Sequence, residues 1–220
     1  MKPGLKPTPV SRIRQLEEAA GRLVARRRAA PITLDDLAAE AGMPLDIARE
    51  VLPDGETLIR NVAEAALARL HDSIVRRMAM LGDSAPRARI HALGMGYLDW
   101  ALSNPTHLLL VSDRDLTAMY DTRMLQRQED ALGAMLLRLL TRARADGDLD
   151  AATDCAALML ACRALVYGLA RMSVDGNLAR WAPAMGIADS ADPLAQCEAM
   201  LDAFLNVIFQ PEPVAPPVPP

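Results

Sequence analysis

Aromatic residues are nearly missing from this chain: two Trp, three Tyr and two Phe make up 3% of 220 residues. Sheets draw much of their cross-strand packing from aromatic and β-branched side chains, so a β-rich core is excluded as the default. Alanine, leucine, arginine and methionine take their place, and an all-α fold is expected. Cysteine is as scarce. Cys155, Cys162 and Cys197 supply neither a paired disulfide framework nor metal-ligand spacing, and are expected to be buried, reduced thiols of a cytoplasmic protein. The three histidines, His71, His91 and His107, fall on separate predicted helices. None forms an i, i+4 metal pair or a nucleophile motif, and no glycine-rich phosphate loop occurs. Neither an enzyme nor a cofactor or metal is expected, and His107 reads as a surface or satisfied histidine ahead of a sensor of ligand or pH. No stretch approaches the ~18 uninterrupted apolar residues of a membrane span, and no apolar signal core opens the sequence. The expected location is the cytoplasm, without membrane attachment.

What is present is a 51% hydrophobic chain, long enough for a sizeable core. The stretch around which the rest is organised runs from Ile32 to Ile59. Thr33 stands where an N-cap hydroxyl belongs and Asp36 follows three residues later in a box-like pair. Gly42 supplies a left-handed stop. A helix over 34–41, a glycine turn and a helix over 45–51 behind Met43-Pro44 make a helix-turn-helix, whose second helix is built to enter a DNA major groove. Charge is divided around it. Residues 1–28 hold eight basic and two acidic side chains, a net +6, whereas residues 29–59 hold Arg49 against seven acids, a net −6. Attraction for phosphate is expected from the arm and repulsion from the motif.

In chain order, residues 1–9 read as a loose arm, and a first helix from near Ser11 ends before Pro31, with Arg26-Arg27-Arg28 complementing its last turn. Asp54 caps a long fourth helix over 55–81. Pro86 opens a fifth that ends at Ser103, and Asn104-Pro105 stops it. A short helix over 106–111, an irregular stretch 112–121 and a long helix 122–145 follow. The segment 151–174 is apolar on several faces, which implies burial against more than one neighbour. Residues 178–191 read as a connection anchored by Trp181 and Pro183, then comes a last helix over 193–209, and the proline-rich tail 211–220 is expected to be extended and mobile.

These residues resemble the TetR family of one-component bacterial regulators. The likeness is carried by Ala19-Ala20, by Thr33-Leu34, Leu37-Ala38 and Ala41-Gly42, by Leu52-Pro53 and by Glu56-Thr57-Leu58-Ile59. In the body, Tyr97-Leu98-Asp99-Trp100-Ala101-Leu102-Ser103-Asn104-Pro105 looks like the fifth-helix ending of many members. Leu165-Val166-Tyr167-Gly168-Leu169 is similar to the Trp-His-Gly signature of one subgroup, with Tyr167 for histidine and Arg163 near the place of the tryptophan. The resemblance implies a DNA-binding head over 1–60, a ligand-binding and dimerisation body over 61–210, and a repressor acting as a homodimer on double-stranded operator DNA. Candidate DNA contacts are Arg12, Arg14, Thr33, Pro44, Leu45, Asp46 and Arg49. Departures from the family pattern fall on these positions. Pro44 and Leu45 replace a hydroxyl cap and the polar residue after it, Arg49 replaces a phosphate-binding aromatic, and Gly55 replaces the lysine that usually opens the fourth helix, removing a phosphate contact. Arg49 has the reach for a phosphate or for a guanine edge. In the body, the resemblance implies a small apolar effector, with Tyr97, Trp100, Met124, Met159 and Tyr167 as candidate pocket walls. Dimerisation is expected through helices about 151–174 and 193–209. The competing reading is a hydrophobic-ligand-binding protein on the same fold whose DNA binding is weakened or lost.

Overall fold

The computed structural model describes residues 8–26, 32–82, 84–112, 123–181 and 192–209, and every element among them is a helix. In order these are α1 (Pro9–Arg26), α2 (Leu34–Ala41), α3 (Leu45–Val51), α4 (Gly55–Ala79), α5 (Pro86–Ser103), α6 (Pro105–Ser112), α7 (Arg123–Asp146), α8 (Cys155–Val174), α9 (Asn177–Trp181) and α10 (Pro193–Ile208). The start of the expected arm, nearly all of the expected irregular stretch 112–121 and the proline-rich tail lie outside the described residues. Two compact units result. One comprises Met1–Arg69 with Asn104–Gln128, the other Leu70–Ser103 with Glu129–Pro220.

In the first unit, α1 begins two residues before the expected Ser11. Thr8 caps it, accepting from the Ser11 N–H at 3.3 Å, and Pro9 fits the first turn because its missing N–H has no partner there anyway. The capping box of α2 forms as expected. The Asp36 N–H donates to the Thr33 hydroxyl, and the Thr33 N–H donates to the Asp36 carboxylate, each at 3.1 Å. Gly42, at φ 63°, then ends the helix in the left-handed region that its missing Cβ opens. Asp54 caps α4 by accepting from the Thr57 N–H at 2.6 Å, a bond that holds its carboxyl below the ordinary range. Leu16, Leu23, Leu37, Ala48, Leu58 and Ile59 fill the core of this unit. Leu110 of α6 joins them, and the methyl of Thr106 rests where a side chain on Gly21 would stand.

In the second unit α5 is buried on nearly every side, with Ile90, Met95, Leu98, Trp100 and Ala101 inside. Its small residues permit this: at Gly94 it meets Val166 of α8 and Leu201 of α10, and at Gly96 the backbone of Ile74 in α4. Leu136 and Leu140 of α7, Leu169 of α8 and Leu205 of α10 are also buried. The three cysteines are free and buried as expected, and burial raises the thiols of Cys162 and Cys197 to about 11.

Two expectations need correction here. The segment 151–174 starts its helix only at Cys155, because Asp154 caps it by accepting from the Ala156 and Ala157 N–H groups and Asp150 holds the preceding turn. As expected, this helix packs against more than one neighbour, α5, α9 and α10, while Leu160 stays 62% exposed and Tyr167 43%. By length and composition α8 is long and apolar enough to cross a membrane, but Arg163 and Arg171 divide it, so it holds no uninterrupted apolar run of that length. Finally, the connection after 177 opens with the short α9, whose Trp181 is 57% exposed and therefore anchors nothing within the described residues; Pro183 lies outside them.

Candidate nucleic-acid interface and effector-binding body

The charge division in the first 59 residues turns out to be largely internal. Glu40 of α2 accepts from Arg22 Nε at 2.8 Å and from Arg26, tying α1 to α2. Glu50 of α3 accepts from Arg12 Nη1 at 2.8 Å, tying α1 to α3. Glu56 pairs with Arg60 one turn on, and Asp36 and Asp54 serve as caps. The repulsion expected from a net −6 motif is correspondingly reduced, since five of the seven acids already face cationic groups or helix N-termini. A depression of about 450 Å3, lined by Leu23, Arg26, Asp36, Ala39 and Glu40, lies over this network.

The Arg22 hydrogen bond, reinforced by Arg26 and outweighing the partial burial that acts the other way, holds the Glu40 carboxyl below its ordinary 4.5. A carboxyl lowered on folding contributes stability above its unfolded value and loses it as pH falls through the lower folded value. Wild type is therefore expected to melt above Glu40→Gln at about pH 6, and the gap in melting temperature to close as pH falls from about 4.5 through the lower folded value. Circular dichroism melts across that range check it, and a gap that stays constant with pH refutes the assignment.

The candidate DNA contacts do not share one environment. Arg12 is engaged by Glu50, its side chain only 18% exposed. Arg14 is open to solvent and pairs loosely with Glu18 at 3.4 Å. Thr33 uses its hydroxyl and its N–H in the α2 cap. Pro44 stands at the N-cap position of α3 without a side-chain bond, and Leu45 is drawn partly into the core of the first unit. Asp46 and Arg49 are exposed on α3, and neither forms an ion pair among the described residues. Gly55 has a cause that sequence reasoning missed: a Cβ there would stand 2.8 Å from the Ile32 carbonyl oxygen and 2.9 Å from the Leu34 nitrogen. No signal within residues 53–57 announces that approach.

In the second unit Tyr97 and Trp100 meet in a tilted arrangement, their ring centroids 5.8 Å apart. Met159 of α8 lies against Gly133 of α7, 3.8 Å from where a Cβ would stand, while Tyr167 is turned outward on α8. The side chain of Met124 lies outside the described residues. Tyr97 and Trp100 are thus a pair of candidate pocket residues in direct contact. His107 of α6 is half-buried in the first unit. Burial, with the charge of Arg69 behind it, holds its imidazole below the ordinary 6.5 and so uncharged at neutral pH.

Residues 90–204, more than half of the chain, match the tetracyclin repressor-like C-terminal domain. The chain belongs to the TetR family. Solved structures similar to this TetR-family regulator include the ketosteroid transcriptional regulator KstR2 of Mycobacterium tuberculosis, 18% identical, covering 91% of this chain and 96% of that one at a TM-score of 0.69. The TetR family transcriptional regulator PfmR from Thermus thermophilus is 16% identical over 90% of this chain and 94% of its own, with a TM-score of 0.64. AibR, in complex with isovaleryl coenzyme A and operator DNA, is 14% identical over 90% and 98%, with a TM-score of 0.66. At these identities the likeness is one of fold. No curated protein matches the chain. The family assignment agrees with the all-α architecture and with α2–turn–α3 as its helix-turn-helix.

Proposed function

We propose that this TetR-family regulator is a cytoplasmic, ligand-responsive repressor that binds operator DNA as a homodimer. The observation that carries the reading is Arg49: exposed on the recognition helix, without an ion pair among the described residues, while the adjacent Glu50 is engaged by Arg12. An arginine so placed suits a guanine edge or a phosphate. The dimer is supported by the apolar surface that one chain leaves uncovered, Leu160 and Tyr167 on α8 and Val207 on α10, the last 84% exposed. An apolar effector in the body shifts α4, changes the spacing of the two recognition helices and weakens their joint fit to half-sites about 34 Å apart or a multiple of that distance.

The second reading, an apolar-ligand-binding protein without DNA binding, is favoured by the internal use of Arg12, Thr33 and Leu45. Fluorescence anisotropy on a duplex enriched from a random pool by the full chain separates the two. Two chains per duplex are expected, and Arg49→Ala is expected to weaken binding by about 1–3 kcal/mol, roughly fivefold to 150-fold. Failure to enrich any duplex, or an Arg49→Ala protein that binds like wild type, sinks the operator reading.

A further inference from the structure

We propose that Arg12 is a positioning residue: its ion pair with Glu50 holds the recognition helix α3 in the orientation from which it reads DNA. The inference rests on the operator-binding reading above. Among the described residues no other ion pair or side-chain hydrogen bond ties α3 to another helix. It has seven residues, well under the ~12–15 at which a helix begins to persist alone. Its N-cap position is Pro44, which makes no side-chain bond to the free N–H groups of the first turn. Its one fully buried residue is Ala48, whose single methyl removes little apolar area from water, and Leu45 and Val51 pack against the core only partly buried. Against this, Arg12 reaches from α1 to Glu50 at 2.8 Å, and its side chain is 18% exposed where Arg14, two residues on, is 80% exposed. A guanidinium lying in against the protein loses less freedom on pairing than one in solvent, so its geometry is better fixed.

The pair also sets the charge that α3 presents. Glu50 lies three and four residues from Ile47 and Asp46 and directly follows Arg49, so an unengaged carboxylate there repels the backbone that Arg49 approaches. Paired with Arg12, it does so less.

The alternative role for Arg12, a direct phosphate contact, predicts opposite behaviour at Glu50. If Arg12 binds phosphate, Glu50→Gln removes a competitor and a negative charge, and DNA binds more tightly. If the pair is a brace, Glu50→Gln weakens binding. The experiment compares full-length wild type, Arg12→Gln, Glu50→Gln and the charge-exchanged Arg12→Glu/Glu50→Arg protein. One readout is affinity for the duplex enriched by wild type across a salt series, the other amide hydrogen exchange of α3 in the free protein. Each single variant is expected to bind about twofold to fivefold more weakly, with the salt slope unchanged, and to exchange its α3 amides faster by a similar factor. The exchanged pair restores α3 protection. Tighter binding by Glu50→Gln, a salt slope lowered by about one in Arg12→Gln, or unaltered α3 exchange in both single variants overturns the proposal. Where wild type enriches no duplex, the operator reading falls by itself, and α3 exchange decides whether the brace exists.

Discussion

Gly55→Lys is expected to bind DNA more weakly than wild type, although it adds a positive charge at the start of α4 where many TetR-family members carry one. The reason is steric. A Cβ on residue 55 stands within 2.9 Å of three backbone atoms, the Ile32 oxygen, the Thr33 carbonyl carbon and the Leu34 nitrogen, distances that side-chain carbons do not occupy. These atoms belong to the capped entrance of α2, where Thr33 and Asp36 fix each other, so they have no rotamer by which to withdraw. Either α4 moves away from α2 or the capping box opens. Overpacking of this kind costs about 1–3 kcal/mol and occasionally more. The opposing gain from restricting the unfolded chain when glycine is replaced is about 0.4–1 kcal/mol, too small to reverse the sign. Gly55→Ala and Gly55→Lys are both expected to melt roughly 2–10 °C below wild type, as followed by circular dichroism. A Gly55→Lys protein that melts like wild type and binds its duplex more tightly would falsify the close approach.

Gly55 also marks the limit of what one sequence tells about a site. The helix-turn-helix was legible because its signals are local: a hydroxyl and a carboxylate three residues apart, a glycine at the end, apolar residues at helical spacing. All of these formed, and Leu16, Leu37, Leu58 and Ile59 fill the core behind them. The contact positions were less legible, since what occupies them depends on partners distant in the chain. Arg12 and Glu50 are 38 residues apart, Arg22 and Glu40 are 18 apart, and nothing in the intervening residues links them. Counting charges by segment therefore placed a basic arm against an acidic motif where the fold sets helix-to-helix ion pairs. The place of α6 was hidden for the same reason. Its Leu110 follows α5 in sequence yet enters the core of the first unit, guided by the space that Gly21 leaves for Thr106. In α8 the apolar pattern gave the burial against several neighbours but not which faces stay open, because periodicity reports that a face is apolar without saying what covers it.

The second unit offers a sharper test of packing, since its glycines divide by what stands opposite them. At Gly96 of α5 a Cβ would lie 2.9 Å from the Cα and 3.2 Å from the nitrogen of Ile74, backbone atoms of a helix that yield only if α4 itself is displaced. At Gly168 of α8 nothing within the described residues lies within 4 Å. Both are helix-interior positions, so alanine brings each the same gain in helix propensity, about 1 kcal/mol. At Gly96 that gain is set against overpacking near the upper end of the usual range of about 1–3 kcal/mol, because Ile74 is 1% exposed and its surroundings are filled. Gly96→Ala is therefore expected to be destabilised and Gly168→Ala stabilised, the two differing by about 2–3 kcal/mol in urea unfolding at unchanged m-value. Equal midpoints would mean that α4 and α5 separate easily at Ile74, and the contact then has no part in fixing α4. The sign at Gly168 carries separate information. Should Gly168→Ala lose stability in the full-length protein, the space beside it is occupied by something outside the described residues, and the neighbouring exposed Tyr167 and Leu160 place that occupant on the face proposed for the second subunit.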